Sequence, residues 1–295
     1  MILVVGSTGF LGSEICRRLR EAGKPVKGLV RTTSDVAKVE KLKGWGVSLA
    51  YGDLKDRPSL DAACQGVETV ISTATTTVSY QPDDSIPATD GQGQLNLVAA
   101  ARGAGVKQFV FVSYSKNMDA GPNPCPLTVA KRSVEQAAIK SGMTYTILRP
   151  SVFMEIWLSP ALGFDYPHAK ANVFGDGHGK ISYISLGDVA QFAVESLEKP
   201  AARNAVFELG GLQAFSPLEV VRKFEQVNGK SFELQFLPVA SLQAQKAAAT
   251  DPLQNSFATL MLCQAAGDEV DMRPAQKVFS FPLASLNDYV QRVLS

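Results

Sequence analysis

The chain has 295 residues, 45% of them hydrophobic, enough to bury a full core as one large domain or two intimate ones. Its 29 Lys and Arg against 28 Asp and Glu leave a formal net charge of +1, so neither nucleic-acid contact nor a membrane footprint is expected. Cys16, Cys64, Cys125 and Cys263 are scattered without metal-ligand spacing, as in a reduced cytoplasmic protein; the first residues read as strand rather than signal peptide, and no apolar run spans a bilayer.

Residues 2–5, ILVV, are apolar without alternation, the pattern of a strand buried on both faces. From Leu11 the apolar residues Leu11, Ile15 and Leu19 recur at helical spacing, with Arg17, Arg18 and Arg20 facing out. Gly6, Gly9 and Gly12 therefore fall on a strand-to-helix turn, which aims backbone N–H groups and the positive end of a helix at an anion. Gly6 permits the tight turn, Gly9 the close approach of a pyrophosphate, and Gly12 the packing of helix on strand. Ser7, Thr8, Phe10 and Leu11 complete the expected phosphate loop. The bland alternative is that the glycines only shape a turn. Their spacing, G-x-x-G-x-x-G, resembles that of the extended and atypical short-chain dehydrogenase/reductases.

A second strand over residues 25–30 ends in Arg31, where a dinucleotide fold reads the adenosine ribose. An acid there would bind the 2′-hydroxyl of NAD, whereas Arg31, followed by Thr32, Thr33 and Ser34 with no acid before Asp35, suits the 2′-phosphate of NADP. Otherwise Arg31 is a solvated strand end. A polar helix over 36–42 and a third strand over 47–51 follow, closed by Gly52, Asp53 and Leu54; Asp53 either faces the adenine edge or caps its loop. After a short helix over 59–65, a fourth strand over 67–72 runs into Thr73, Ala74, Thr75, Thr76 and Thr77. Small residues there let a coenzyme lie close across the sheet, or simply form a turn. Residues 80–90, rich in Pro and Asp, read as a mobile surface loop; a helix over 92–103 and a fifth strand over 106–113 come next. Alternating β and α predicts an α/β fold, a Rossmann-type doubly wound parallel sheet.

Ser113, Tyr114 and Ser115 end that strand. A helix over 127–141 holds Ala130-Lys131-Arg132-Ser133-Val134-Glu135, and a strand over 145–148 leads into Arg149-Pro150-Ser151-Val152-Phe153-Met154-Glu155. AKRSVEQAAIKSG…TYTILRPSVFME resembles the NmrA-like group of atypical short-chain reductases, which includes isoflavone-reductase-like enzymes, NADPH quinone reductases, triphenylmethane reductase and redox-sensing NmrA regulators. The resemblance runs from Met1 to about Gly211, with Gly6, Gly9, Gly12, Arg31, Lys131, Arg149 and Pro150 as matching points. It implies NADP(H) as cofactor, Lys131 at the nicotinamide ribose, Ser113 toward the substrate, and Pro150, Ser151 and Val152 packed on the nicotinamide, with backbone groups of the last two offered to its carboxamide. Typical short-chain reductases place a proton-donating Tyr four residues before the Lys, on the same helix face, and the isoflavone-reductase-like branch places a catalytic Lys near that position instead. Here Leu127 stands there and has no proton to give. The acceptor then needs no protein acid, or Tyr114, Tyr80, Tyr166 or His168 supplies the proton, or the protein binds NADP(H) without turnover. Alternation along the strand points Tyr114 away from the side of Ser113.

Phe153, Met154 and Trp157 are apolar and line a pocket for a flat substrate, or are core. Residues 158–179, rich in Pro and Gly, read as an active-site flap; His168 and His178 lie there without ligand companions, so no metal site is expected. A strand is predicted over 180–185. Asp188 opens the next helix as an N-terminal acid tying the substrate region to the Rossmann core. Ala205 to Leu209 returns as a strand to the sheet, Ser216-Pro217-Leu218-Glu219 is a capping box, and later helices are expected from 241, 252 and 286. The expected organisation is a nucleotide-binding domain over 1–155 and a substrate-binding region over 156–295, with 181–210 partly returning to the sheet. The expected function is an NADPH-dependent reductase acting on a conjugated or quinone-like small molecule. The alternative is a non-catalytic NADP(H) sensor or assembly factor working through a protein partner. A sugar-nucleotide epimerase is disfavoured, since that chemistry needs the Tyr.

Overall fold

The computed structural model describes residues 1–77, 81–119 and 124–295. Strands and helices alternate in the first part: β1 (Ile2–Val5), α1 (Phe10–Glu21), β2 (Val26–Val30), α2 (Val36–Gly44), β3 (Ser48–Tyr51), α3 (Arg57–Ala63), β4 (Thr69–Ser72), α4 (Gln94–Gly103), β5 (Gln108–Val112), α5 (Pro126–Lys140) and β6 (Thr144–Pro150). With β9 (Ala205–Leu209) they build a seven-stranded sheet of order β3-β2-β1-β4-β5-β6-β9. The order reverses at β1, the crevice where open α/β sheets bind ligands beyond the strand carboxyl ends. β1 pairs in parallel with both β2 and β4, and all four of its residues are buried. Each such side chain adds roughly 1.5–3 kcal/mol by leaving water. The doubly wound α/β fold expected from the sequence is the one observed.

The chain divides into two compact units. The first comprises Met1–Ser113, Pro126–Leu148 and Val189–Phe207. One core of this unit gathers Leu3, Val5, Leu29, Leu60, Leu97, Phe109, Phe111 and Val134. The second comprises Tyr114–Cys125, Arg149–Asp188 and Glu208–Ser295. Its core is aromatic: Phe164 lies 4.8 Å from Phe224, and Tyr289 donates its hydroxyl to the Leu158 carbonyl at 2.8 Å.

Three expectations need correction. Residues 158–179 are not wholly irregular: β7 (Phe164–Asp165) and β8 (Lys170–Phe174) form a three-stranded sheet with β10 (Glu233–Leu237), in the order β10-β8-β7. Residues 180–185 are no strand. Ile181 bridges Phe215 and Asp268, and Ile184 bridges Phe153, so the backbone is divided among separate neighbours. The stretch 80–90 is not merely loop, because a wide helical turn, Ile86–Gly93, leads directly into α4, with Ser85 accepting from the Ala88 N–H. The remaining helices are α6 (Met154–Trp157), α7 (Leu186–Glu195), α8 (Pro217–Asn228), α9 (Val239–Ala248), α10 (Pro252–Ala266), α11 (Arg273–Gln276) and α12 (Leu286–Leu294). α8 opens with the expected capping box, Ser216 and Glu219 bonding each other's backbone N–H. Among the described residues no helix is long and apolar enough to cross a membrane.

Candidate functional site

The β1–α1 turn is shaped by what its glycines leave out. Gly6 has a left-handed φ of +85°, and a Cβ there would sit 2.9 Å from the Ala74 nitrogen. A Cβ on Gly12 would lie 2.1 Å from the Gly6 carbonyl oxygen, so α1 rests directly on the turn. Gly9 differs: an added Cβ would meet only the Gly6 oxygen, at 3.2 Å. It is the N-cap of α1, in extended conformation, with no side chain capping the helix. The first N–H groups of a helix have no intrahelical acceptor. An uncapped helix start above a glycine cradle fits the diphosphate of a dinucleotide. Ser7 contributes only backbone here, because its buried hydroxyl donates to the Leu29 carbonyl at 2.8 Å. Thr8 is half-buried, Phe10 exposed and Leu11 buried.

The polar stretch after β4 closes onto this turn. The Thr73 backbone N–H and hydroxyl both donate to the Val5 carbonyl, at 2.9 and 3.2 Å. Buried Gln94 accepts from the Ser72 hydroxyl at 2.8 Å and donates to the Ala74 carbonyl at 3.0 Å. Thr75 and Thr77 share a hydroxyl contact of 3.3 Å. Gly6 and Gly12 are thus brought together with Thr73 and Ala74, braced by Gln94, which no local pattern in the sequence singles out.

Arg31 ends β2 part-exposed, and its Nη1 donates to Asp84 Oδ2 at 2.7 Å. Lys55 donates to Asp84 Oδ1 at 2.8 Å and to Asp83 at 2.6 Å. Burial alone would raise the Asp84 pKa, but the bonds from Lys55, Arg31 and the Gln81 N–H prevail and hold it at about 2. Thr32 and Thr33 are exposed. Asp53 accepts from the Lys55 N–H at 2.8 Å and so caps its own turn, while Leu54 is buried.

Lys131 is 2% exposed, its Nζ 3.7 Å from Oδ1 of the fully buried Asp90. The same Lys131 nitrogen lies over the Phe111 ring, 5.1 Å from its centroid. Asp90 Oδ2 accepts from both the N–H and the hydroxyl of Thr76, at 3.0 and 2.8 Å. Asp90 Oδ1 has no hydrogen-bond partner among the described residues. Burial pushes the Lys131 ammonium below its ordinary pKa, against the opposing pull of Asp90. Ser113 is buried and accepts from Arg132 Nη1 at 3.0 Å; Arg132 in turn pairs with buried Glu135 at 2.7 Å. Leu127, four residues before Lys131, is fully buried.

The other expected residues lie in the second unit. Both donors of Ser151 are committed: its N–H donates to the Leu209 carbonyl at 2.8 Å and its hydroxyl to Asp268 Oδ2 at 2.7 Å. The Val152 carbonyl accepts from the Ile184 N–H at 2.9 Å. The Ser151 N–H and the Val152 carbonyl are thus bonded within the protein. Asp268 also accepts from the Ser115 hydroxyl at 2.7 Å and from Asn117. Nothing in the sequence singled out this buried acid, 117 residues from Ser151. Pro150 is buried, its carbonyl accepting from the Ser115 N–H at 3.0 Å, and Tyr114, Val152 and Phe153 are half-buried. Trp157 meets Phe174 edge-on at 6.2 Å. Of the suggested proton donors, Tyr166 stacks on Phe224, His168 is an exposed partner of Asp165, and Tyr80 lies outside the described residues. Asp188 accepts from the Ala284 N–H at 3.0 Å within the same unit.

A family model described as the NmrA-like family matches residues 1–279. An NAD(P)H azoreductase of Xenophilus azovorans is 34% identical over 264 residues, covering 88% of this chain and 85% of its own. A photosystem II assembly factor, Ycf39, of Trieres chinensis is 32% identical over 246 residues, covering 82% and 73%. Among solved structures, an NADPH-dependent quinone oxidoreductase of Escherichia coli complexed with NADPH superposes with a TM-score of 0.80 at 24% identity, over 100% of both chains. That likeness establishes the fold.

Proposed function

Since the chain belongs to the NmrA-like family, we propose that it is an NADPH-dependent reductase delivering hydride to a conjugated or quinone-like small molecule. The observation that carries this reading is the uncapped amino end of α1 over the glycine turn, clasped by Thr73. The nucleotide is assigned to residues 1–155, its diphosphate to the turn from Gly6 to Gly12 and its 2′-phosphate to Arg31. Residues 156–295 are assigned to choosing the acceptor. NADPH, when bound, supplies the hydride from its reduced nicotinamide ring. Lys131 is assigned to the nicotinamide ribose, held in place by Asp90, and Ser113 to orienting the acceptor. Phe153 and Trp157 offer apolar faces of the kind that bind flat acceptors.

Leu127 can neither give nor take a proton. The reading therefore selects acceptors whose reduced form is protonated by water, such as quinones, conjugated dyes and azo compounds. The azoreductase relative is named for one of these classes.

A second reading, an NADP(H)-binding assembly factor that does not turn over, draws on the same Leu127 and on the Ycf39 relatives. NADPH oxidation followed at its near-ultraviolet absorbance against quinones, enones and azo dyes separates the two. Turnover with any of them supports the reductase. Tight NADPH binding with no turnover across the panel overturns it in favour of the assembly factor.

A further inference from the structure

The cation at the end of β2 is already satisfied by a carboxylate. Arg31 Nη1 and Lys55 Nζ approach opposite oxygens of Asp84 at 2.7 and 2.8 Å, and the Gln81 N–H and Thr89 hydroxyl complete the set at 2.8 and 3.3 Å. The Asp84 side chain is only 2% exposed, whereas the Arg31 and Lys55 side chains are 29% and 21% exposed. The turn that carries Asp84 is docked onto the β2 end: the Thr33 hydroxyl donates to Gln81 Oε1 at 2.7 Å, and Gln81 Nε2 donates to the Thr33 carbonyl at 3.2 Å. Two cations, a backbone N–H and a hydroxyl converging on one anionic group is the donor set that a phosphate monoester would take. Asp84 lies 53 residues from Arg31 in sequence and Lys55 lies beyond β3. Three separate loops are needed to assemble this arrangement.

We propose that Arg31 and Lys55 together seat the 2′-phosphate of the coenzyme, and that the Asp84 carboxylate competes for that seat and is displaced by NADPH. The inference rests on the coenzyme reading above and adds to it a second phosphate ligand and a resident competitor. Selectivity between the two coenzymes is then an exchange of anions. The phosphate of NADPH takes over both cations and compensates for expelling Asp84. NADH brings no anion to the seat, so it leaves the Asp84 pairs intact and gains nothing from Lys55. Lys55, unlike Arg31, acts as a point charge on a flexible stem, suited to follow either anion.

Isothermal titration of the full chain with NADPH, NADH and 2′-AMP, with inorganic phosphate as competitor, tests this. Lys55→Met should weaken NADPH and 2′-AMP about tenfold or more, the loss expected for a charge-assisted bond, and leave NADH within about twofold. Asp84→Asn should tighten NADPH and 2′-AMP several-fold and leave NADH unchanged. Lys55→Met affecting both coenzymes alike, or neither, overturns the seat. A well-folded Asp84→Asn that binds NADPH more weakly shows that Asp84 is a brace, and overturns the exchange. Should Asp84→Asn not fold, Lys55→Met decides alone, since among the described residues its charged end meets only carboxylates. Inorganic phosphate competing as strongly as 2′-AMP would make the seat one for the free ion and overturn its assignment to the coenzyme. A wild-type chain that binds neither coenzyme removes the coenzyme reading itself. Wild-type binding that ignores Lys55 removes only this inference.

Discussion

Asp90 and Lys131 face each other where neither can reach water. Removing one partner of such a pair strands the other as a buried charge, at a cost of about 3–5 kcal/mol, whereas removing both is often nearly neutral. Lys131→Met should therefore lower the unfolding free energy by about that amount. The double variant with Asp90→Asn should lose clearly less than the sum of the two single losses. Urea unfolding of the four proteins checks this, and additive losses would show that the two groups do not interact. Asp84 lends itself to a pH test. Its pKa is depressed from 3.8 to about 2, so the stability it contributes is complete above pH 3.8 and lost as the pH falls toward 2. Wild type and Asp84→Asn should differ in unfolding free energy by a constant amount from neutral pH down to mildly acid solution, and converge near pH 2. A gap that persists there would assign it to packing rather than charge. Lys131 and Arg31 stand out in the sequence as candidates because they follow recognisable local patterns. Asp90, Asp84 and Asp268 were not. In sequence an Asp among Pro, Ser and Gly reads as turn chemistry, and only long-range packing reveals that it is buried against a cation or a pair of hydroxyls.

At the level of elements, the two glycines that open α1 should separate folding from binding. Gly12→Ala would push a methyl group into the Gly6 carbonyl, since its Cβ would lie 2.1 Å from that oxygen. It should destabilise the protein by several kcal/mol, on the order of other overpacked cores. Gly9→Ala meets nothing closer than 3.2 Å and needs no left-handed backbone. It should keep the melting temperature within a few degrees and still weaken NADPH, because in the reading proposed above its methyl would stand on the diphosphate side of the turn. Thermal unfolding and titration of both variants test the pair; equal affinity for NADPH in Gly9→Ala would move the diphosphate elsewhere. The capping box of α8 offers a plainer case. Ser216→Ala should cost about 1 kcal/mol, read by urea unfolding. These elements were legible because each declares itself locally: the unbroken apolar run of β1, the helical spacing after Leu11, the Ser-Pro-x-Glu start of α8. β7 and β8 were not legible. β7 has two residues, the surrounding segment is dense in Gly and Pro, and the partner of β8 is β10, far along the chain. The same holds for residues 180–185, whose apolar alternation reads as a strand although no single neighbour runs alongside them.

For the molecule as a whole, two hydrophobic clusters, each internal to one unit, give coenzyme binding a directional consequence. A ligand that binds only the folded state stabilises it by mass action, about 2.7 kcal/mol at a hundred times its dissociation constant. For a chain of this size that corresponds to a rise of about 4–5 °C in melting temperature, if the whole chain unfolds as one. If the units unfold separately, calorimetry should show two transitions, and NADPH should move chiefly the one belonging to the Rossmann unit. Hydrogen exchange locates the effect more finely. The amides of the β1–α1 turn, the end of β2 and residues 73–77 should gain protection with NADPH, because those groups close around the nucleotide in the reading argued above. The core of Phe164, Phe224 and Tyr289 is held by its own aromatic contacts and should change little. Protection that rose around those rings and not around Gly9 would mean that the nucleotide binds to the second unit. The phosphate roles assigned to the glycine turn and Arg31 would then have to be given up, although the family and the fold would stand.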